Sequence, residues 1–426
     1  MGTIRLPHLA WHGGDEGVYK LPDRWQLEIC NMTGYDQLAM TPAEIRHALE
    51  NPIGAKPIKE LAKGKQHVVV LFDDMSRITR TFDIVPHVLQ DLAEAGIADE
   101  NIRFVCATGC HGPLTRLDFV KKLGEDVLRR FPVYNHNPFN NCISIGKTKT
   151  FGTEVSINAE VIKCDMKIAI GGIVPHGMSG FGGGGKIILP GVASFEATQH
   201  NHHIAQFELP PGKAGVGNFD DNPVRLDIEE AAVMAGLDFI VNVLYNQWGE
   251  TARVFAGALK PAYAAGVAES KTHYFTPPVH DQDIVIANAF VKASEASSCL
   301  NVAYPGVAQK GGDVVLIANE PAGQIVHYMF GAFGCEIYGP EYKVKVLPSK
   351  VKRLIVYSEY PDIVGRSTFP KSEKVMFLDK WDDVLKVLAA DYPAAANVAV
   401  YPYAEMQYTT KVSPPFQSSR PSVGES

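Results

Sequence analysis

Short, nearly continuous runs of apolar residues alternate along the chain with stretches whose apolar residues recur at helical spacing. Apolar runs of this length are typical of parallel strands that are covered on both faces. Predicted strands lie at 67–74, 102–109, 166–174, 283–290, 313–320 and 353–360. Predicted helices lie near 84–95, 115–130, 294–310 and 381–390. This alternation predicts an α/β fold with mainly parallel sheets.

The predicted strands form two series, which indicates two α/β domains with a cleft between them. The segment 271–281 separates the series, and its two prolines are typical of a connector. We therefore expect a first domain over 1–272 and a second over 273–411. The remaining segment, 412–426, is rich in proline and serine and is predicted to be disordered.

Composition narrows the class of protein. Of the 426 residues, 46% are hydrophobic and 20% are charged, as in ordinary globular proteins. A net charge of −7 argues against nucleic acid as a partner, because phosphate binding needs a basic surface. No apolar run approaches the roughly 18 residues of a membrane span, and the N-terminal segment lacks the layout of a signal peptide.

The seven cysteines are scattered and include no CxxC pair. This pattern argues against a disulfide framework and favours a reducing compartment. We therefore expect a cytoplasmic protein that does not contact membranes. Cys106 and Cys110 are predicted to be buried thiols.

Reactive side chains follow each of the first three apolar runs. Asp74 and Arg77 follow the first run, His111 follows the second, and His176 follows the third. Ligands of open α/β sheets bind beyond the carboxyl ends of the strands, so we expect these four side chains to share one crevice. An arginine there can bind a substrate carboxylate through two parallel hydrogen bonds. The alternative for Arg77 is a salt bridge to Asp73 or Asp74.

A glycine-rich segment, 180–186, formally fits the phosphate-binding pattern GxxxxGK. Ile187 stands where that pattern requires a serine or threonine for magnesium, which argues against a nucleoside triphosphatase. The successive glycines still allow the backbone to approach a ligand closely, as a phosphate site requires. Lys186 is a candidate phosphate partner or covalent amine.

Three histidines, His200, His202 and His203, lie in a segment, 194–204, that can be helical. Imidazole binds zinc, copper, iron and nickel. On a helix His200 and His203 share a face while His202 points elsewhere. One metal ligand, a pair of ligands and a polar surface turn all remain open.

Four blocks of the sequence together resemble the lactate racemase family of nickel-pincer nucleotide enzymes. The blocks are Asp74-Met75-Ser76-Arg77, Ala107-Thr108-Gly109-Cys110-His111, Pro175-His176, and 182–191 (GGGGKIILPG) followed by Asn201-His202. They occur in order and span most of the chain. The resemblance implies an isomerase that acts as a 2-hydroxyacid racemase or epimerase.

The family's cofactor is a pyridinium-3,5-bisthiocarboxylic acid mononucleotide that holds nickel through two sulfur atoms and a ring carbon. The resemblance implies that Lys186 is its covalent attachment point and that His202 is a nickel ligand. Residues implied near its nucleotide portion are Asp74, Gly183, Gly184 and Gly185. The first domain would carry this cofactor, the second would close over the substrate, and cofactor-maturation enzymes are the implied protein partners.

Inversion of a 2-hydroxy acid requires the C2–H bond to break on one face and re-form on the other. In the mechanism that the resemblance implies, this hydrogen moves as hydride while a base takes the hydroxyl proton. His111 and His176 would be the two bases, since an imidazole with a pKa of about 6.5 can act as acid or base near neutrality. Arg77 would hold the substrate carboxylate.

One block of the family pattern, Tyr-Gln-x-x-Lys on the second domain, is absent from this chain. The corresponding stretch is 288–298, in which Lys292 and Glu295 are candidate substrate contacts. Both could instead belong to a solvated helix start. Because they can bind additional hydroxyl groups, we expect a longer or polyhydroxylated acid, such as an aldonate undergoing 2-epimerisation, rather than lactate.

Other functions fit part of the sequence. A conventional metal-dependent hydrolase or lyase would use the histidines for zinc or iron. A non-catalytic nucleotide-binding protein would need the glycine-rich segment but not both His111 and His176. A nicotinamide-dependent dehydrogenase is disfavoured, because no G-x-G-x-x-G follows the first predicted strand.

Overall fold

The computed structural model of the chain describes residues 2–14, 16–210, 212–338 and 346–409. Strands in these ranges are β1 (Gly2–Pro7), β2 (Glu16–Leu21), β3 (Gln26–Ile29), β4 (Val68–Asp73), β5 (Ile102–Ala107), β6 (Val133–Asn135), β7 (Cys142–Lys147), β8 (Glu154–Asn158), β9 (Met166–Gly172), β10 (Pro175–His176), β11 (Gly180–Phe181), β12 (Phe239–Tyr245), β13 (Thr251–Gly257), β14 (Ile284–Asn288), β15 (Gly312–Ile317), β16 (Val351–Tyr357), β17 (Val375–Leu378) and β18 (Asn397–Tyr401). The predicted disordered tail, 412–426, lies outside the described residues.

The helices are α1 (Pro42–Glu50), α2 (Ile58–Leu61), α3 (Thr81–Glu94), α4 (Arg116–Leu123), α5 (Glu125–Arg130), α6 (Ala159–Ile162), α7 (Phe195–His203), α8 (Pro223–Met234), α9 (Leu259–His273), α10 (Leu300–Gly306), α11 (Gly331–Tyr338) and α12 (Trp381–Asp391). The predicted helix over 115–130 is two helices, α4 and α5. Gly124 separates them with a φ of 85°, a conformation that side chains other than glycine rarely adopt. None of the helices in the described ranges combines the length and apolar character that crossing a bilayer requires.

A six-stranded sheet in the order β13-β12-β9-β4-β5-β6 forms the centre of the first half. All neighbours are parallel except β12 and β13. The central strand β4 is buried from Val68 to Phe72, which explains its unbroken apolar run. Cys106 on β5 and Cys110 after it are buried, as predicted. The three strands that precede the predicted reactive residues therefore lie side by side.

A second six-stranded sheet, all parallel, has the order β17-β16-β15-β14-β18-β3. Alternate residues of its strands belong to two different cores. In β14, for example, Ile284 and Ile286 face one core, while Val285 and Ala287 face the other. The two sheets confirm the predicted α/β class with mainly parallel strands.

Both ends of the described chain cross between the two halves of the molecule. Strand β3, close to the N-terminus, pairs with β18 at the edge of the second sheet. In the opposite direction, Tyr403, Met406 and Tyr408 follow β18 and pack into the core of the first sheet. The sequence analysis did not foresee either crossing. The division at residues 272 and 273 stays a prediction, with α9 ending at His273.

The segment after β14 departs from the single helix predicted near 294–310. A 3-10 turn, Ala293–Cys299, precedes α10. Within it Glu295 has non-helical backbone angles, φ −119° and ψ 42°. This kink lies just beyond the carboxyl end of β14 and places the Glu295 side chain beside residues of the first half.

Candidate active site

A cavity of about 900 Å³ lies at the carboxyl ends of β4, β5 and β9. Its wall includes the predicted site residues Asp74, Arg77, His111, His176, Gly183, Gly184, Lys186 and His202. The second half of the chain contributes Glu295, His327 and Phe330. Two predicted residues are not part of the cavity wall. Gly185 lies behind the wall, and Lys292 binds the carboxylate of Glu295, which is part of it. The expected convergence on one crevice is therefore present in the structure.

His111 is held by a buried carboxylate. Its Nδ1 lies 2.5 Å from Asp74 Oδ2, while Asp74 Oδ1 accepts hydrogen bonds from the Ser76 amide and hydroxyl. Burial alone would lower the pKa of His111, but the Asp74 carboxylate, followed by Glu295, outweighs it and raises that pKa. Burial would likewise raise the pKa of Asp74, but His111 and Arg77 lower it to about 2. The ionised carboxylate therefore holds the His111 proton to higher pH than a free imidazole would, and the second ring nitrogen, Nε2, faces Glu295.

The Asp74→Asn variant should make His111 lose its proton at lower pH, because the amide keeps the shape of the carboxylate but not its charge. The measurement is the chemical shift of the His111 Cε1–H as a function of pH in both proteins. Asp126→Asn, at an exposed carboxylate on α5, serves as the control and should leave the titration in place. An unchanged His111 titration in Asp74→Asn would show that the carboxylate does not hold the proton.

His176 has the opposite environment. Its Nδ1 accepts hydrogen bonds from the Met178 amide at 3.2 Å, and from the Ser179 amide and hydroxyl at 3.2 and 3.0 Å. Burial, followed by the charges of Lys186 and Lys292, holds the pKa of His176 well below its usual range. Because Nδ1 is an acceptor, the proton of the neutral ring is on Nε2.

Lys186 is half-buried in the cavity wall and lies next to His176. Its Nζ is 3.1 Å from His176 Nε2. Burial, followed by the nearby guanidinium groups of Arg225 and Arg77, holds the pKa of Lys186 well below that of a free lysine. A lowered pKa favours the form of the amine whose lone pair is available, and desolvation of this kind activates a lysine as a nucleophile.

The glycine-rich loop positions Lys186 by packing tightly against the protein. Gly184 has a φ of 58°, and a Cβ there would lie 2.7 Å from the Tyr263 ring, so the position requires glycine. The Gly184 amide donates to Asn242 Oδ1 at 2.9 Å, and the Gly185 amide donates to Glu229 Oε1 at 3.1 Å. These two amides are thus already bound to side chains of the chain itself. A role of Gly183, Gly184 and Gly185 in cofactor binding stays a prediction.

The three clustered histidines point in different directions. On α7, His202 lines the cavity, whereas His200 lies 3.0 Å from Thr153 Oγ1 and His203 lies 3.6 Å from Glu208. Of the three, only His202 therefore faces the cavity.

The His202 ring is neutral, which is the protonation state in which an imidazole binds a metal ion. Burial, followed by the charge of Lys186, lowers its pKa to about 3, so the ring is neutral. Its buried Nδ1 has no hydrogen-bond partner among the described residues. Among all the residues that the structure describes, no group of three or more His, Cys, Asp or Glu side chains is arranged to hold a metal ion. A conventional hydrolytic zinc or iron centre would need such a group.

Arg77 pairs with a residue of the second half. Its Nη1 is 2.6 Å from Glu295 Oε2, and Lys292 Nζ lies 3.1 Å from the same oxygen. Asp73, one of the two partners considered for Arg77, binds the fully buried Lys122 at 2.7 Å instead. Lys292 is only 5% exposed, which excludes a solvated surface position.

Glu295 remains ionised within this cluster. Burial would raise its pKa, but Lys292, Arg77 and then His111 hold it well below the usual range. Its Oε1 lies 3.6 Å from His111 Nε2. The Glu295 carboxylate therefore contacts both the predicted carboxylate-binding arginine and one of the predicted bases.

The sequence analysis missed His327 and Phe330. Both lie between β15 and α11, away from any predicted strand end or recognised motif. A signal for His327 exists only in three dimensions, where its backbone forms a bridge to His111.

Glu405 was likewise not predicted from the sequence. It accepts hydrogen bonds from the Phe290 and Lys292 amides at 2.6 and 2.8 Å. Glu405 thereby fixes the loop that carries Lys292.

The fold and the cavity define an α/β protein with two mainly parallel sheets, in which imidazole, carboxylate and cationic side chains from both halves of the chain meet in one cavity. A family model described as the lactate racemase N-terminal domain matches residues 13–210. Lactate racemase of Thermoanaerobacterium thermosaccharolyticum is 31% identical over 329 residues, covering 76% of this chain and 75% of that protein. Lactate racemase of Lactiplantibacillus plantarum is 31% identical over 287 residues, covering 64% and 65%.

Solved structures show the same fold. The lactate racemase apoprotein from T. thermosaccharolyticum superposes with a TM-score of 0.70 at 23% identity, over 96% of this chain and 100% of that chain. A crystal structure of a Thermotoga maritima protein superposes with a TM-score of 0.65 at 19% identity, over 88% and 100%. The chain belongs to the lactate racemase family and is an isomerase, as the four sequence blocks predicted.

Proposed function

We propose that the protein inverts C2 of a 2-hydroxy acid with a nickel-pincer nucleotide attached to Lys186. The observation that carries the proposal is the presence, in one cavity, of Lys186 with a lowered pKa, the neutral His202 and the two imidazoles His111 and His176. Two relatives named lactate racemase support the class of reaction.

The residues present fit this cofactor. Lys186 offers an amine whose lowered pKa favours the uncharged form that can make a covalent bond, and His202 offers a neutral ring with an unpartnered buried nitrogen. The described residues offer no set of three protein ligands around His202, as expected if an organic group brings most of the metal's ligands itself. When bound, the cofactor would supply a nickel-activated carbon that accepts the C2 hydrogen as hydride and returns it.

The two histidines would handle the hydroxyl proton through their Nε2 atoms. Nδ1 of His111 is committed to Asp74, and Nδ1 of His176 to Met178 and Ser179. The raised pKa of His111 favours its role as the acid. His176 is neutral with its proton on Nε2, so to act as the base it would carry that proton on Nδ1, where the Ser179 hydroxyl lies 3.0 Å away. Each would serve one configuration of the substrate and exchange roles in the reverse direction.

Arg77 would orient the substrate through its carboxylate. Two cations, Arg77 and Lys292, surround the single carboxylate of Glu295. An added monocarboxylate would balance this charge, whereas a dicarboxylate would place a second negative charge beside Glu295. The cluster therefore favours a monocarboxylic acid.

The test uses protein produced in a host that makes the cofactor. The expected result is inversion of at least one acid in a panel containing lactate and D-gluconate, followed by chiral chromatography. A C2-deuterated substrate should give product that keeps its deuterium, because a transferred hydride does not exchange with water. Loss of the label to water would indicate proton abstraction instead, and a nickel-loaded protein that inverts none of the acids would contradict the proposal.

A polyhydroxylated acid such as an aldonate is the proposed substrate, which makes the reaction a 2-epimerisation. Glu295 lines the side of the cavity formed by the second half, where it can bind hydroxyl groups beyond C2, and Lys292 lies behind it and holds its carboxylate at 3.1 Å. Lactate lacks these hydroxyls and would not gain the hydrogen bonds that Glu295 can offer an aldonate.

The Glu295→Ala variant should therefore lose more activity with D-gluconate than with lactate. We expect the ratio of kcat/KM for the two acids to fall about 10- to 100-fold, the cost of one or two hydrogen bonds to a charged group. Glu269→Ala, at an exposed position on α9, is the matched control. An unchanged ratio in Glu295→Ala would remove Glu295 from substrate selection.

A further inference from the structure

The segment that carries His327 pairs with the loop that carries His111. The Gly112 amide donates to the Val326 carbonyl at 2.9 Å, and the Tyr328 amide donates to the Cys110 carbonyl at 2.8 Å. His111 and His327 therefore face each other as a non-hydrogen-bonded antiparallel pair, the arrangement in which opposed side chains come closest. Their ring centroids are 5.0 Å apart, and both rings line the cavity.

The orientation of the His327 ring is fixed by its neighbours. Nδ1 accepts the Met329 amide hydrogen at 3.1 Å, and the Phe330 ring lies 4.3 Å away, centroid to centroid. Because Nδ1 is an acceptor, a neutral His327 carries its proton on Nε2. The cavity thus holds a fourth imidazole besides His111, His176 and His202, and its N–H belongs to the second half of the molecule.

We infer that His327 contacts the substrate and donates a hydrogen bond from Nε2 to the oxygen on C2. This inference rests on the proposed function and adds a residue to it. The oxygen gains negative charge as its proton leaves, so a fixed donor beside His111 stabilises it most when the proton is being transferred. The backbone pairing of 326–328 with 110–112 delivers this donor only when the two halves of the molecule are together.

Two substitutions separate this role from a structural one. Asparagine can accept the Met329 amide hydrogen as Nδ1 does, but has no donor at the place of Nε2. Glutamine places an amide donor near the position of Nε2, but does not reproduce the Nδ1 acceptor. Substrate contact predicts that His327→Gln retains activity within about fivefold, while His327→Asn loses about 10- to 100-fold in kcat/KM. A purely structural role predicts the reverse order.

The experiment compares wild type, His327→Asn, His327→Gln and Val326→Ala, each loaded in the same host. Val326 lies on the same segment with an exposed side chain and should behave as wild type. Nickel content and the mass of the Lys186 peptide should be equal in all four. A greater loss in His327→Gln than in His327→Asn would overturn the inference, as would equal losses accompanied by lower thermal stability.

A binding measurement separates this inference from the proposed function. Calorimetric titration of the cofactor-free proteins with D-gluconate and with lactate should show weaker binding to His327→Asn than to wild type or His327→Gln. That result would support the contact even if the loaded wild type inverted neither acid, in which case the proposed function alone would fail. Equal affinities in all variants, or no binding by wild type, would overturn the contact.

Discussion

Replacing Lys186 with methionine is expected to abolish C2 inversion and the covalent adduct while leaving the protein folded. Methionine has nearly the length of lysine and no amine, and it suits an enclosed position better than a buried amine does. Lys186 lies in the cavity wall with its Nζ against His176 Nε2, and burial holds its pKa well below that of a free lysine, so an uncharged methionine avoids the cost of desolvating an ammonium group. The thermal midpoint should therefore stay the same or rise.

The measurement is the intact and peptide mass of protein from a cofactor-producing host, together with nickel content. Wild type should carry an adduct on the Lys186 peptide and about one nickel per chain, and Lys186→Met neither. Lys167→Met is the matched control, because Lys167 is also a buried lysine but donates to the Cys164 carbonyl away from the cavity. An unmodified Lys186 in wild type, with a lactate racemase from the same host modified, would remove the tethered cofactor.

Replacing either His111 or His176 with asparagine should lower kcat in both directions about 100- to 10,000-fold, the contribution of a positioned general acid or base. Asparagine can donate to Asp74 or accept from Met178 and Ser179, as the respective Nδ1 atoms do, so the surroundings of each ring are kept. Only the Nε2 atoms are lost. The double variant should be little worse than either single one, because inversion needs both groups in every turnover.

His200→Asn is the control for this series, since His200 lies on the same helix as His202 but points away from the cavity. It should match wild type in rate and in nickel content. The initial rates of both isomers, measured by chiral chromatography, decide the outcome. If one of the two single variants kept full activity in both directions, that histidine would not be a proton-transfer group.

The sequence predicted those parts of the site that depend on local patterns. Apolar runs located the strands, and the rule that ligands bind at their carboxyl ends placed Asp74, Arg77, His111 and His176 in one crevice. Helical spacing separated His202 from His200 and His203. In each case the signal lies within a few residues of the side chain that it concerns.

The parts that the sequence did not predict depend on contacts between distant segments. Arg77 pairs with Glu295, more than 200 residues away, because a kink after β14 turns that side chain toward the first half. His327 reaches the cavity through backbone pairing with His111, which no spacing encodes. Strand β3 joins the second sheet for a similar reason, since its four residues carry no apolar run.

The place of β3 also constrains the order in which the molecule can assemble during translation. Its only strand neighbour in the described structure, β18, leaves the ribosome after nearly all the rest of the chain. Strand β3 therefore stays with its edge unpaired while the first sheet folds around β4. Strand β18, the last strand of the described residues, then inserts between β14 and β3, and Tyr403, Met406 and Tyr408 pack onto the core of the first sheet. A nascent chain stalled before β18 would expose an aggregation-prone strand edge. The second sheet therefore becomes complete only after nearly the whole described chain has been synthesised.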